Sequence, residues 1–373
     1  MIKKLIVILI LTVCFCPTVS AQTNEQKDFY VKQYETSGIK ETEQYLPQEA
    51  REYLDENGVD FSNPDWVNTL TLPNVFEHIW DFLKAGAKTP FINGGGIIAI
   101  ILISAALSSM ENADNISATV MYATALSSAA LISVPIFSVL NASINAMKGC
   151  TVFMLSFIPV FAVVTAAAGK AVTAVSMSSL LLGATQGVSF ISNFVVMPLM
   201  SGYLAISFAS SVSPLIARSG IADGIKKIAF WTMSLLTTVF IGILSIQTVV
   251  NSSADTLSLK TAKFIVGSSV PVAGTVLSEA LTTVTASMGL LKSSVGIYGV
   301  IACCICFLPL LAELLLWRVV LLVCSSIADL FSTVKISALL KSVDTVISIM
   351  TGIILLTCAM FVISLTVVVT VGK

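Results

Sequence analysis

Of the 373 residues, 56% are apolar and only 11% charged, with a mean hydropathy of +0.93 and a formal net charge of -1. A soluble domain carries roughly a quarter charged residues, so water is excluded as the main solvent, and the basic residues form no patch dense enough for a nucleic-acid footprint. The charges are uneven: Gln22 to Pro90 hold 13 of the 21 acidic residues, and the chain divides near Phe91.

The chain opens with Lys3 and Lys4, an apolar core from Leu5 to Cys16, and the small residues Val19, Ser20 and Ala21. This layout predicts a cleavable signal peptide over 1–21, with cleavage after Ala21. Gln22 then begins outside the cytoplasm, and 22–93 reads as an acidic, helical extracytoplasmic segment. Within it, Pro47 opens a helix that Gly58 closes, and Asn63-Pro64 makes a cap and first turn. A third helix begins at Pro73 and places Val75, Ile79, Phe82 and Leu83 on one side. Two settings suit that face: the outer membrane interface, marked by Trp66, Trp80 and Phe91, or packing within a small helical domain. His78, the only histidine, has no Cys or second His beside it and reads as a packing or solvated residue.

From 94 to 373 the expectation is an all-α, multi-span membrane domain. Apolar windows long enough to cross a bilayer lie near 94–110, 119–141, 188–212, 228–250, 294–316 and 344–371. Two further stretches are interrupted: 150–187 by Gly169 and Lys170, and 264–292 by Pro271, Gly274 and Glu279. Each is expected to be a re-entrant hairpin or a pair of short spans. At an offset of 112 residues the two stretches share Pro159 with Pro271 and Val172-Thr173-Ala174 with Val284-Thr285-Ala286, which raises a parallel internal repeat as an expectation. Broken helices at membrane depth need protein or a water-filled cavity to cover freed backbone groups, so they point to a pathway.

With Gln22 outside, Glu111 to Asn115 fall inside, Lys148 outside, and Arg218 to Lys227 inside, in agreement with the positive-inside bias. Lys260 and Lys263 then lie outside, Arg318, Lys335 and Lys341 inside, and the C-terminus outside. Arg318 to Leu340 reads as an amphipathic helix on the cytoplasmic side.

An ionisable residue in a bilayer is costly and therefore a functional candidate. Lys170, Glu279 and Lys292 are the candidates here, with Pro159, Pro271 and Gly274 as the breaks beside them. Glu279 and Lys292 either pair across a hairpin or both sit at the outer interface. Asp223, Asp255, Asp329 and Asp344 read as loop or interface residues. The six cysteines beyond the signal lie in apolar runs and read as small buried hydrophobes, with no metal site expected. No catalytic or nucleotide-binding motif can be assembled, so neither enzymatic activity nor a cofactor is expected. Gly183-Ala184-Thr185-Gln186-Gly187 is a smooth Gly-x-x-x-Gly face that serves either to close the monomer or to join subunits.

The runs Ser253-Ala254-Asp255, Lys260 to Phe264, Pro271 to Gly274, Ser278-Glu279 and Leu291 to Gly299 resemble the stage III sporulation protein AE family. So do Phe157 to Val160, Ala166 to Gly169 and Val196 to Leu199. The resemblance covers roughly 94–373. It implies a non-enzymatic subunit, in the mother-cell membrane, of the channel complex that joins mother cell and forespore. Its implied partners are the other stage III A operon proteins and the forespore-side stage II Q protein or its substitute, together with membrane lipid. Two rival readings are a secondary transporter built of two repeated halves and a membrane scaffold that anchors soluble ring proteins.

Overall fold

The computed structural model describes residues 31, 34–35, 38–46, 51–52, 72–109, 114–212, 220–269 and 274–370. The expected signal peptide lies outside them, as does most of 22–71. Among the described residues every regular element is a helix. They are α1 (Ile39–Thr42), α2 (Leu72–Ser109), α3 (Asp114–Ala167), α4 (Ala171–Ile191), α5 (Met197–Val212), α6 (Ile221–Ser269), α7 (Gly274–Leu330) and α8 (Val334–Thr370). A π-helical turn, Ser192–Val196, joins α4 to α5 in one rod.

Among the described residues, six helical stretches are long and apolar enough to cross a membrane: Gly86–Leu107, Tyr122–Ala167, Ala171–Ser210, Ile221–Thr261, Leu291–Leu330 and Val334–Thr370. The 46-residue stretch in α3 is about 69 Å long, whereas the hydrocarbon layer is about 30 Å thick. One side of it is covered by protein along its length. Phe153, Phe157 and Phe161 stack along α3 with centroids 5.5 Å apart, and Tyr298 of α7 meets the first two edge-on.

Neighbouring helices alternate in direction. Ser104 of α2 lies 3.1 Å from Thr124 of α3 across their connection. Cys150 and Phe157 of α3 meet Cys303 and Tyr298 of α7 in antiparallel order. At the α7–α8 turn, Ser332 adopts a φ of 56°, and Arg318 reaches Asp344 at 3.2 Å. Farther along the same pair, Gly296 and Gly299 leave room for Val369 and Leu365 of α8. One end of the bundle therefore carries the α3–α4 turn, Asp255, the start of the α7 span and the end of α8. Lys260 and the end of α8, both expected outside, share that end, whereas Lys148 lies well inside α3 and does not; the connections expected inside share the other end. Thr42 and Glu43, within the expected acidic segment 22–93, lie next to Tyr298 at the first end.

Packing explains which helix is central. From Val346 on α8 is apolar on all sides, and 25 of the residues from Ile336 to Val369 are buried, as expected of a helix surrounded by protein. In contrast, α6 turns Ile228, Trp231, Leu235, Val239, Ile246 and Val249 outward, a face suited to lipid.

Several expectations on boundaries change. The helix expected from Pro73 and the first span are one helix, α2, which runs through a buried Pro90. No separate amphipathic helix covers 318–340; α7 continues to Leu330 and α8 starts at Val334, because Phe331 to Thr333 form the turn. Lys148 is an exposed residue within α3 rather than part of a loop. The proposed repeat is not reproduced at its 112-residue offset: Pro159 lies inside α3, eight residues before its end at Ala167, whereas α6 ends at Ser269, before Pro271.

Candidate functional site

The interruption at Gly169-Lys170 is a helix stop followed at once by a helix start. The Gly169 amide donates to the Ala166 carbonyl at 2.9 Å and the Lys170 amide to the Thr165 carbonyl at 3.2 Å. This is the Schellman pairing, which needs a left-handed residue between helix and exit. Gly169 supplies it with a φ of +80°, and a Cβ there would stand 3.0 Å from Leu259 Cδ1 of α6. The turn therefore requires glycine twice, once for its backbone and once for its neighbour.

α4 then begins without a cap of its own. Lys170 occupies the N-cap position and makes no side-chain capping bond. The cap comes from α6 instead. The Asp255 carboxylate accepts the Val172 amide at 2.8 Å, the Thr173 amide at 3.2 Å and the Thr173 hydroxyl. A carboxylate at a helix N-terminus satisfies orphan amides and meets the positive end of the helix dipole. Asp255 is only 1% exposed, so these bonds replace its hydration.

Lys292, near the start of the α7 span, is 5% exposed and lies within electrostatic reach of both Asp255 and Lys170. Three helices and one turn thus bring two cations and one anion together. A buried charge is tolerated when paired and hydrogen-bonded. The Asp255 bonds tie α6 to the α3–α4 hairpin at one end of the bundle, and Lys292 of α7 stands within electrostatic reach of them.

The cluster includes two of the residues singled out in the sequence, Lys170 and Lys292. Asp255, read there as a loop or interface residue, is instead buried within α6 and holds the site together. Its signal was present, since Gln247, Asn251 and Asp255 recur every four residues in a stretch otherwise free of amide and charged side chains and so share one helical face. Pro159 is exposed on α3 and stays outside the cluster. Gly274 is the first residue of α7, and Glu279 lies in the same helix with its side chain outside the described residues. Pro271 also lies outside them.

The Gly296 to Gly299 run is a packing device. A Cβ on Gly299 would stand 2.5 Å from Phe157 Cζ, and one on Gly296 would overlap Val369. The Gly-x-x-x-Gly face behaves differently, because among the described residues no other part of the fold lies within 4 Å of a Cβ built on Gly183 or Gly187. It therefore does not close the monomer at those two positions. Of the buried cysteines, Cys150 and Cys303 bring their sulfurs to 3.9 Å between α3 and α7.

Six apolar helical stretches, a central buried helix and a charged cluster at one end define a polytopic helical membrane protein. The family model for stage III sporulation protein AE matches residues 67–372, and the chain belongs to that family. It is 28% identical over 317 residues to stage III sporulation protein AE of Bacillus subtilis (strain 168), covering 84% of this chain and 77% of the relative. No solved structure matches. Family membership makes this a sporulation protein of the membrane.

Proposed function

We propose that the protein is a non-enzymatic subunit of the channel complex between mother cell and forespore, embedded in the mother-cell membrane. Membership of a sporulation family supports the setting. The observation that carries the assignment to a pathway is the Lys170–Asp255–Lys292 cluster, because buried charges in a membrane bundle mark polar routes and their gates. In this reading the cluster faces the space between the two membranes. There it meets the partners that the family implies: the other stage III A operon proteins and the stage II Q protein or its substitute. The two-halves transporter reading has no comparable support, since the expected repeat does not recur in the helices.

The test is complementation in a spore-forming host lacking its own copy, together with recovery of partners by affinity capture. Asp255→Leu, Lys292→Leu and Glu279→Leu proteins are each quantified in the membrane before spores are counted. Loss of spores with retained protein for Asp255→Leu, and capture of stage III A proteins by the wild type, are the expected results. Full spore yield from a stably inserted Asp255→Leu protein would remove the cluster from the pathway.

A further inference from the structure

The face of α6 that carries Asp255 continues inward with two polar side chains the cluster does not use. Asn251 and Gln247 lie one and two turns below Asp255 on the same side of the helix. Asn251 is 2% exposed. Its Nδ2 and the Gln247 Oε1 are both buried, and neither finds a hydrogen-bond partner in the protein. Buried amides are nearly always satisfied, and lipid offers no substitute. The opposite side of the same stretch carries exposed Ile246 and Val249, so the amides point away from lipid and into the bundle.

The chemistry of the unmet atoms limits what can satisfy them. Gln247 offers an acceptor and Asn251 a donor, one turn apart. A cation would bind the first and be repelled by the second, and an anion the reverse. Water serves both. Between α3, α4 and α8, behind the Thr173 that Asp255 holds, a crevice of about 10 Å³ is lined by Phe161, Thr165, Thr173, Met177, Leu181 and Val368, which is room for one water molecule at the mouth of the α6 face. Ser364 on α8 also buries an Oγ without a partner. Gly352 of α8 packs against Met233 of α6, so counting along both helices in their common direction brings Ser364 level with Ser245, two residues from Gln247.

We infer that the inner face of α6 is hydrated, with a file of water entering at the Lys170–Asp255–Lys292 cluster and running about 12 Å inward to Gln247. The file is a property of this chain and does not depend on the channel-complex reading. It gives polar solutes or protons an entry from the outer end and stops where α6 becomes apolar on its inner side at Leu244 and Phe240, which are buried.

The test uses full-length protein in intact cells with a charged, membrane-impermeant methanethiosulfonate reagent applied from outside. Gln247→Cys and Asn251→Cys are compared with Leu244→Cys and Phe240→Cys on the same helix, and wild-type protein sets the background from native cysteines. Positions 247 and 251 are expected to react at least tenfold faster than 244 and 240. Adding Asn251→Leu to Gln247→Cys should slow the reaction tenfold or more by plugging the file. Equal rates at all four positions overturn the inference.

A second measurement needs no substitution. Hydroxyl radicals generated from bound water in the wild-type protein should oxidise Met177, which lines the crevice, well above Met350. Both methionines are 1% exposed, so equal oxidation of the two also overturns the inference.

Discussion

The Asp255 carboxylate of α6 accepts the Val172 amide of α4 at 2.8 Å, so the first turn of one membrane helix is capped by the interior of another. Helices normally carry their own cap one residue before the first turn. Here that position is Lys170, whose charge opposes the dipole, and the compensating anion arrives from 85 residues farther along the sequence. The α3–α4 hairpin and α6 are therefore stabilised together.

Replacing Asp255 with Ala should destabilise the detergent-solubilised protein by about 1–3 kcal/mol, the usual cost of leaving buried donors without their acceptor. Asp255→Asn retains one acceptor and should cost less. Thermal unfolding checks both. Combining Asp255→Asn with Lys292→Gln should cost less than the sum of the two single changes by at least about 0.5 kcal/mol, because each charge moderates the burial of the other. Strict additivity would place Lys292 outside the cluster.

Gly169→Ala should destabilise by about 1–2 kcal/mol from the left-handed backbone alone, with an added cost from Leu259. Shortening Leu259 to Ala in the same chain should recover the steric part and leave the backbone part. A Gly169→Ala protein as stable as the wild type would mean that the turn does not need a positive φ.

Two glycines of α7 should respond with opposite sign. Gly299→Ala drives a methyl group into Phe157 and should cost about 1–3 kcal/mol, as overpacking generally does. Gly289→Ala meets no atom within 4 Å and should stabilise the helix by roughly 0.4–1 kcal/mol. Unfolding of the two variants side by side decides the point, with the aromatic stack of α3 as the stated cause.

Orientation is checked by cysteines at the exposed positions Lys226 and Lys260, near opposite ends of α6. An impermeant thiol reagent added to intact cells should label position 260 and leave 226 unlabelled until the membrane is opened. The reverse pattern would invert the bundle. Sequencing the N-terminus of membrane-extracted protein tests the cleavage expected between Ala21 and Gln22.

The helical class and the membrane setting were legible without tertiary information. Long apolar runs can satisfy their backbone groups in lipid only as helices or closed barrels, and these runs far exceed strand length. The Gly169-Lys170 interruption was legible for the same local reason, since glycine ends helices through its backbone freedom. Lys170 and Lys292 were also found, because a charge in an apolar run stands out by itself.

What only the tertiary structure decided is which groups meet. Asp255 followed an apolar run and read as the start of a loop. Its role depends on the α4 amides, and nothing local in the sequence brings residue 173 to residue 255. The long rods are a second case: Pro159 broke the pattern in the sequence, yet α3 continues through it, because packing of Phe153, Phe157 and Phe161 against α7 holds both sides in line. Hydropathy ranks each residue against water and lipid, whereas the site arises from residues ranked against one another.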